Sequence, residues 1–282
     1  MEIRGSDSIM KLILGGSGFI GSNFTSGVKL SSTDVNLLNY DNTLKCFQKY
    51  NPDIIIHSAC KQLSSKLLYE NSADYFDENV RMSLNIFKAS RSVNVKKLII
   101  IASINAFIDD QKSLISDSYN HNIKKILSDE YYHQYDLSSN VIFLSNVYGP
   151  NYKNNTNGFI PFIIEKCHEA KQKNIDLYIT GNPNHTRNFI FVKDVIDKIE
   201  SSNDIHGHMT IANDNYYSLE SVVNKIAKIM NYTGKIIWQG QFDSVGSKYL
   251  DNNKIPYFND MNFTSLDEGL EYTIKWYLEN ET

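Results

Sequence analysis

Cysteine is scarce in this 282-residue chain: Cys46, Cys60 and Cys167 are odd in number and far apart. That spacing excludes a disulfide framework and a cysteine-clustered zinc site. A reducing compartment follows, and the cytoplasm is the expected location. A basic excess is also missing. Lys and Arg number 28 against 32 Asp and Glu, for a net charge of −4. No nucleic-acid partner is therefore expected, and the pairs Lys96, Lys97 and Lys124, Lys125 are too short to read as basic tails. Nor is there a long hydrophobic run. The longest aliphatic stretch, residues 98–102, falls far short of the ~20 residues of a membrane helix, so no membrane partner is expected. Internal repeats and low-complexity linkers are absent as well.

What is present is enough apolar sequence, 41% against 21% charged, to bury a core. Asn is abundant, so the glycosylation-like triplets at Asn23, Asn154, Asn231 and Asn262 are chance matches. Residues 1–9 precede a Met10 that reads as a strand start, and are expected to be a leader, a tag-like extension or the product of an early start codon.

Short apolar runs alternate with helical patterns. Residues 10–14, 53–57, 97–102 and 141–145 are nearly continuous in Ile, Leu and Val, as strands covered on both faces are. Helices are expected over 73–94 and 122–135, then over 159–171, 219–230 and 266–279, with further strands at 176–179, 188–192 and 235–239. The alternation predicts an α/β fold: a Rossmann-like, doubly wound parallel sheet with a smaller C-terminal α/β substrate lobe. The expected division is 10–150 for dinucleotide binding, with 188–213 returning to it, and 151–187 with 214–282 for the lobe.

After the first strand, Gly15, Gly18 and Gly21 stand in a G-x-x-G-x-x-G turn with Ser17, Phe19 and Ile20 between them. Such a turn lets the backbone approach a pyrophosphate and aims free N–H groups at it.

Here the sequence resembles the extended short-chain dehydrogenase/reductases of the NAD-dependent epimerase/dehydratase family, which act on nucleotide sugars. The resemblance runs along nearly the whole chain. It is carried by PDIIIHSA at 52–59, Asn79-Val80 and Asn85-Ile86, SNVYGP at 145–150, FIP at 159–161, RNFIFVKDV at 187–195, and Leu250-Asp251, SLDEGL at 265–270 and Trp276-Tyr277. It implies NADP or NAD as cofactor, a nucleotide-sugar substrate and a homodimer. Gly15, Ser17, Gly18, Phe19, Ile20, Gly21, Ser58 and Ala59 would meet the cofactor. Asn105, Asn146, Arg187 and Lys248 would meet the substrate, with Arg187 suited to a diphosphate.

Family chemistry uses a Ser or Thr, a Tyr, and a Lys four residues after that Tyr. Ser103 takes the first place. The Lys falls best on Lys125, in the run Ile123 to Asp129, and would also hold the nicotinamide ribose. The residue four before Lys125 is then His121, while Tyr119 lies six before it. His121 is either a solvent-facing residue at a helix start or a proton carrier. Beside Lys125 and a nicotinamide cation it would be a neutral base, suited to oxidation.

One branch of the family also epimerises beside the carbonyl with a Cys and a His. The matching positions are Asn105 and Gly158, which cannot move protons. The resemblance thus implies a reductase or epimerase acting at C4 of a nucleotide-activated sugar, best read as a 4-keto-6-deoxysugar reductase of surface-polysaccharide supply. The alternative is a lapsed member that binds without turnover. The stretch from Gly21 to Leu38 is short, so the first helix and second strand should be abbreviated. No acidic residue clearly ends that strand, and Asp34 and Asp41 are the candidates for the adenosine ribose. His206 and His208 lack a third metal ligand, Cys60 reads as packing, and Tyr131, Tyr132 and Tyr135 read as a core or dimer face.

Overall fold

A computed structural model describes residues 9–63, 65–107, 115–152, 158–201, 207–240 and 262–280. The elements run β1 (Lys11–Leu14), α1 (Phe19–Ser22), β2 (Val28–Leu30), α2 (Tyr40–Tyr50), β3 (Ile54–His57), α3 (Ser65–Glu70), α4 (Ser72–Ser92), β4 (Lys97–Ser103), a 3-10 turn (Ile104–Phe107) and α5 (Ile115–Tyr135). They continue with β5 (Ser139–Leu144), β6 (Asn146–Tyr148), α6 (Phe159–Lys173), β7 (Leu177–Thr180), β8 (Thr186–Phe191), α7 (Val192–Ser201), β9 (Met209–Ile211), β10 (Tyr216–Ser218), α8 (Leu219–Ile229), β11 (Ile236–Gln239) and α9 (Leu266–Asn280).

The chain divides into two compact units. The first comprises 1–106, 115–143 and 204–209. Its strands form the sheet of order β2-β1-β3-β4-β5, which β9 extends. The pairings of β1 with β2 and β3, and of β3 with β4, are parallel. The fold is therefore the α/β class with a parallel central sheet. Leu12, Ile13 and Leu14 of β1, Ile55 and Ile56 of β3, and Leu98, Ile99 and Ile100 of β4 are all fully buried. That burial explains why these strands read as unbroken apolar runs. The chain leaves β1 to one side for β2 and to the other for β3. The end of β1 is thus a point where strand order reverses, the place ligands occupy in such sheets.

The second unit comprises 107–114, 144–203 and 210–282. It holds a three-stranded sheet, β10-β8-β6, and a parallel pair, β7 with β11. Its core gathers Ile160, Ile163 and Ile164 of α6, Val222, Val223 and Ile226 of α8, and Leu270 and Ile274 of α9.

Asparagine does work that glycine does in other chains. Asn51, Asn94, Asn151, Asn174 and Asn231 all adopt positive φ, and Asn51 and Asn174 close α2 and α6 in the left-handed conformation. Asn39 opens α2 by accepting from the Asn42 backbone N–H at 2.9 Å. α2 was not among the expected helices. The expected shortening is real: α1 is a single turn and β2 has three residues.

Candidate active site

The glycine turn leaves β1 with Gly15 at φ +81°, and the Gly15 and Gly16 N–H groups both donate to Leu30 O of β2. Each glycine has a distinct reason. A Cβ on Gly15 would lie 2.6 Å from Ala59 N, and one on Gly21 would lie 2.2 Å from Gly15 O. A Cβ on Gly18 would meet only Gly15 O, at 3.2 Å, so the outer side of Gly18 is clear. Phe19 is buried, Ile20 half-buried and Ser17 exposed. The Phe19 and Ile20 N–H groups head the helix and have no intrahelical acceptor. A clear outer face and leading N–H groups fit a pyrophosphate. A one-turn α1 contributes little macrodipole, so the fit rests on the turn itself.

Ser58 and Ala59, just past β3, back the turn. Ser58 Oγ donates to Leu14 O at 2.8 Å, so its side chain braces β1. The next residues are clamped by Asn79 of α4, which accepts from Lys61 N at 2.9 Å and donates to Lys61 O at 3.2 Å. Past β2, Asp34 accepts from Ser31 N at 2.7 Å and from Ser31 Oγ at 2.6 Å. The Ser31 hydroxyl leads in holding its carboxyl below the usual range.

At the end of β4 a polar chain assembles. Ser103 Oγ accepts from Asn105 N at 3.2 Å, and Asn105 Nδ2 donates to Asp117 Oδ2 at 2.8 Å. Tyr75 of α4 donates its hydroxyl to Asp117 Oδ1 at 2.6 Å. His121 Nε2 lies 3.4 Å from the same oxygen, one helical turn along α5. Burial would raise the Asp117 pKa. Contacts from His121, Tyr75 and Asn105 outweigh it and leave the carboxyl well below its ordinary value. Burial, with Cys60 and Asp117 close by, pushes the Tyr75 phenol far up. The expected catalytic residue His121 and the expected substrate residue Asn105 thus meet at Asp117, and the expected catalytic residue Ser103 joins them through the Asn105 backbone N–H.

Asp117 and Tyr75 were missed by sequence reasoning. The signal for Asp117 was its place four residues before His121, on the same helix face. Tyr75 comes from another helix and had no local signal.

Two expectations are corrected. Lys125 does not join the cluster: it is half-exposed and pairs with Asp129 at 2.8 Å along the outer face of α5. The buried lysine is Lys124, whose Nζ donates to Ile101 O of β4 at 3.0 Å. Burial draws its pKa down. The solvent-facing reading of His121 also fails, because the residue is buried. The charge in contact with it is the Asp117 carboxylate and not the Lys125 ammonium, which removes the lysine from the grounds for a neutral imidazole.

Other expected residues lie elsewhere. In the second unit, Asn146 Nδ2 donates to Asn188 O at 2.9 Å, tying β6 to β8. Arg187, half-buried on β8, donates from Nη1 to Thr186 O at 2.8 Å. Burial lowers its pKa. Lys248 and His206 lie outside the described residues. His208 bonds Asp129 at 2.7 Å, and among the described residues no cluster could hold a metal. Tyr131 packs on Phe87 of α4 with ring centroids 5.1 Å apart, while Tyr132 is exposed. No described helix is long and apolar enough to cross a membrane.

A parallel sheet with a glycine turn at one strand end and acid–base side chains at another defines a dinucleotide-dependent α/β enzyme. The chain matches the NAD dependent epimerase/dehydratase family over residues 11–200, and it belongs to that family. It is 24% identical to a GDP-L-fucose synthase of Dictyostelium discoideum, across 95% of both chains. It is 23% identical to a GDP-L-colitose synthase of Yersinia pseudotuberculosis, across 96% of this chain and 99% of that one. Among solved structures, a GDP-L-fucose synthetase from Naegleria fowleri bound to NADP superposes with a TM-score of 0.82 at 20% identity, covering 99% and 95% of the two chains.

Proposed function

We propose that this protein is an NAD(P)-dependent oxidoreductase acting at C4 of a nucleotide-activated sugar, specifically a 4-keto-6-deoxysugar reductase in surface-polysaccharide supply. The observation that carries the reading lies within the first unit. The glycine turn ends β1, and the Ser103–Asn105–Asp117–His121 chain ends β4 of the same parallel sheet. A dinucleotide bound on the turn would supply the hydride, and His121 of the polar chain carries the proton. Relatives named for GDP-sugar synthesis support the substrate class. The enzyme works in the cytoplasm as a homodimer; Tyr119, Ile126 and Tyr132, exposed on α5, support pairing through that helix. Arg187 binds the diphosphate, Lys248 is the second basic candidate for that role, and Asn146 meets the sugar nucleotide, as the family resemblance implies.

A second reading, binding without turnover, is favoured by one observation: Lys125, the expected partner of a catalytic phenol, faces outward. A thermal-shift panel of nucleoside diphosphates, followed by NADPH and NADH oxidation with 4-keto sugar nucleotides, separates the two. Oxidation supports the reductase. Stabilisation without oxidation supports the binding protein, and neither result would remove both. Arg187→Ala should weaken nucleoside diphosphate binding by about 1.5–3 kcal/mol, the worth of a hydrogen bond to a charged group.

A further inference from the structure

The geometry points to Asp117 as the positioning residue that holds His121 as an imidazolium, so that His121 is the acid of a ketone reduction and not the base of an alcohol oxidation. This deepens the proposed reductase reading and rests on it. Among the described residues, the groups facing the pair come from four neighbouring segments. Tyr75 approaches from α4, Asn105 from the 3-10 turn after β4, Cys60 from the segment after β3, and Lys124 from the next turn of α5. Asn105 carries no charge. Burial keeps the Tyr75 phenol and the Cys60 thiol in their neutral forms. Among the described residues the charges left are the Asp117 carboxylate, 3.4 Å from the imidazole, and the Lys124 ammonium, held by Ile101 O.

The contact with the carboxylate is direct and largely shielded from solvent, where screening is weak. It favours the charged ring. Tyr75 and Asn105 each occupy one Asp117 oxygen, which fixes the carboxylate against the ring much as an orienting aspartate fixes a general-base histidine elsewhere.

In the proton step an imidazolium N–H bond breaks and an O–H bond forms on the sugar oxygen. The N–H electron pair stays on the ring. The carbonyl carbon is reduced by the hydride of a reduced nicotinamide dinucleotide, and the carbonyl π pair becomes the oxygen lone pair that takes the proton. The neutral ring regains its proton from solvent.

The test is a histidine side-chain NMR titration of the ligand-free protein, with His121 assigned by its loss in His121→Gln. His121 should titrate above the ~6.5 of free histidine, and Asp117→Asn should lower its midpoint by about one unit or more. A wild-type midpoint at or below that of free histidine overturns the proposal, as does an Asp117→Asn midpoint that does not move. If Asp117→Asn does not fold, Tyr75→Phe serves. Removing the phenol donor leaves more carboxylate charge for the ring, and the midpoint should rise; no movement overturns the proposal. With turnover, ketone reduction should fall as pH rises through the same midpoint, and Asp117→Asn should shift that limb to lower pH. The titration does not depend on turnover. A raised midpoint in a protein inactive on every sugar nucleotide would therefore sink the reductase reading and leave the Asp117–His121 pair standing.

Discussion

Gly18 and Gly21 sit three residues apart in one turn, yet adding the same methyl group to each should have opposite consequences. At Gly21 the new Cβ would lie 2.2 Å from Gly15 O, 2.8 Å from Gly15 C and 2.9 Å from Gly16 Cα. All three are backbone atoms, in a turn pinned to Leu30 O, and none can swing away. Overpacking of this kind costs typically 1–3 kcal/mol. Against it stands the ~0.4–1 kcal/mol that Gly→Ala contributes by restricting the unfolded chain. With three backbone clashes, Gly21→Ala should lose about 2 kcal/mol net, a fall in Tm of roughly 4–8 °C. At Gly18 the Cβ meets only Gly15 O at 3.2 Å, and φ is −75°, which any residue adopts. The strain and the entropy gain nearly cancel, so Tm should stay within ~2 °C of wild type. The methyl group would instead project from the face left clear for a phosphate. NADPH or NADH titration, followed by nicotinamide fluorescence, should show affinity at least roughly tenfold weaker for Gly18→Ala, about 1.4 kcal/mol. Unchanged cofactor affinity in Gly18→Ala would refute the pyrophosphate assignment, and an unchanged Tm in Gly21→Ala would refute the packing of the turn.

The two adjacent lysines should also separate cleanly. Lys125→Ala removes an exposed pair with Asp129 and should cost under ~0.5 kcal/mol in urea unfolding. Lys124→Ala empties a buried four-carbon stem and should cost about 2–4 kcal/mol; equal losses would put α5 in the wrong rotation. Asp117 gives a pH signature. Its folded pKa is depressed, so its stabilisation is complete above the unfolded value of ~3.9 and is lost as pH falls through the folded value. Asp117→Asn should therefore flatten the loss of stability below about pH 4 in urea titrations at successive pH values, and a wild-type slope in the variant would contradict the assignment.

Several features were legible in the residues alone. β1, β3 and β4 were readable because a strand buried on both faces has no polar positions to interrupt it, and the end of β1 was marked by a run of glycines, of which Gly15 and Gly21 leave no room for a Cβ. The expectation of a shortened α1 and β2 needed only a count of residues between Gly21 and Leu38. Ser103 was placed by its position at the end of β4. The rotation of the helices was decided only in three dimensions. α5 carries Ile123, Ile126 and Leu127 at helical spacing, yet Ile126 is exposed, while Asn120, His121, Lys124 and Ser128 are buried. α4 behaves alike, burying Asn79 and Ser83 while Phe76 and Val80 are only half-buried. A polar helix face can go inward when distant groups satisfy it. Ile101 O takes Lys124, Ser139 takes Ser128, and Lys61 takes Asn79. Those partners lie 11 to 23 residues away in sequence, beyond the reach of any local pattern. The same holds for the site. Sequence supplied Ser103 and His121, but Asp117 became its centre only when Tyr75 and Asn105, from two other elements, converged on one carboxylate.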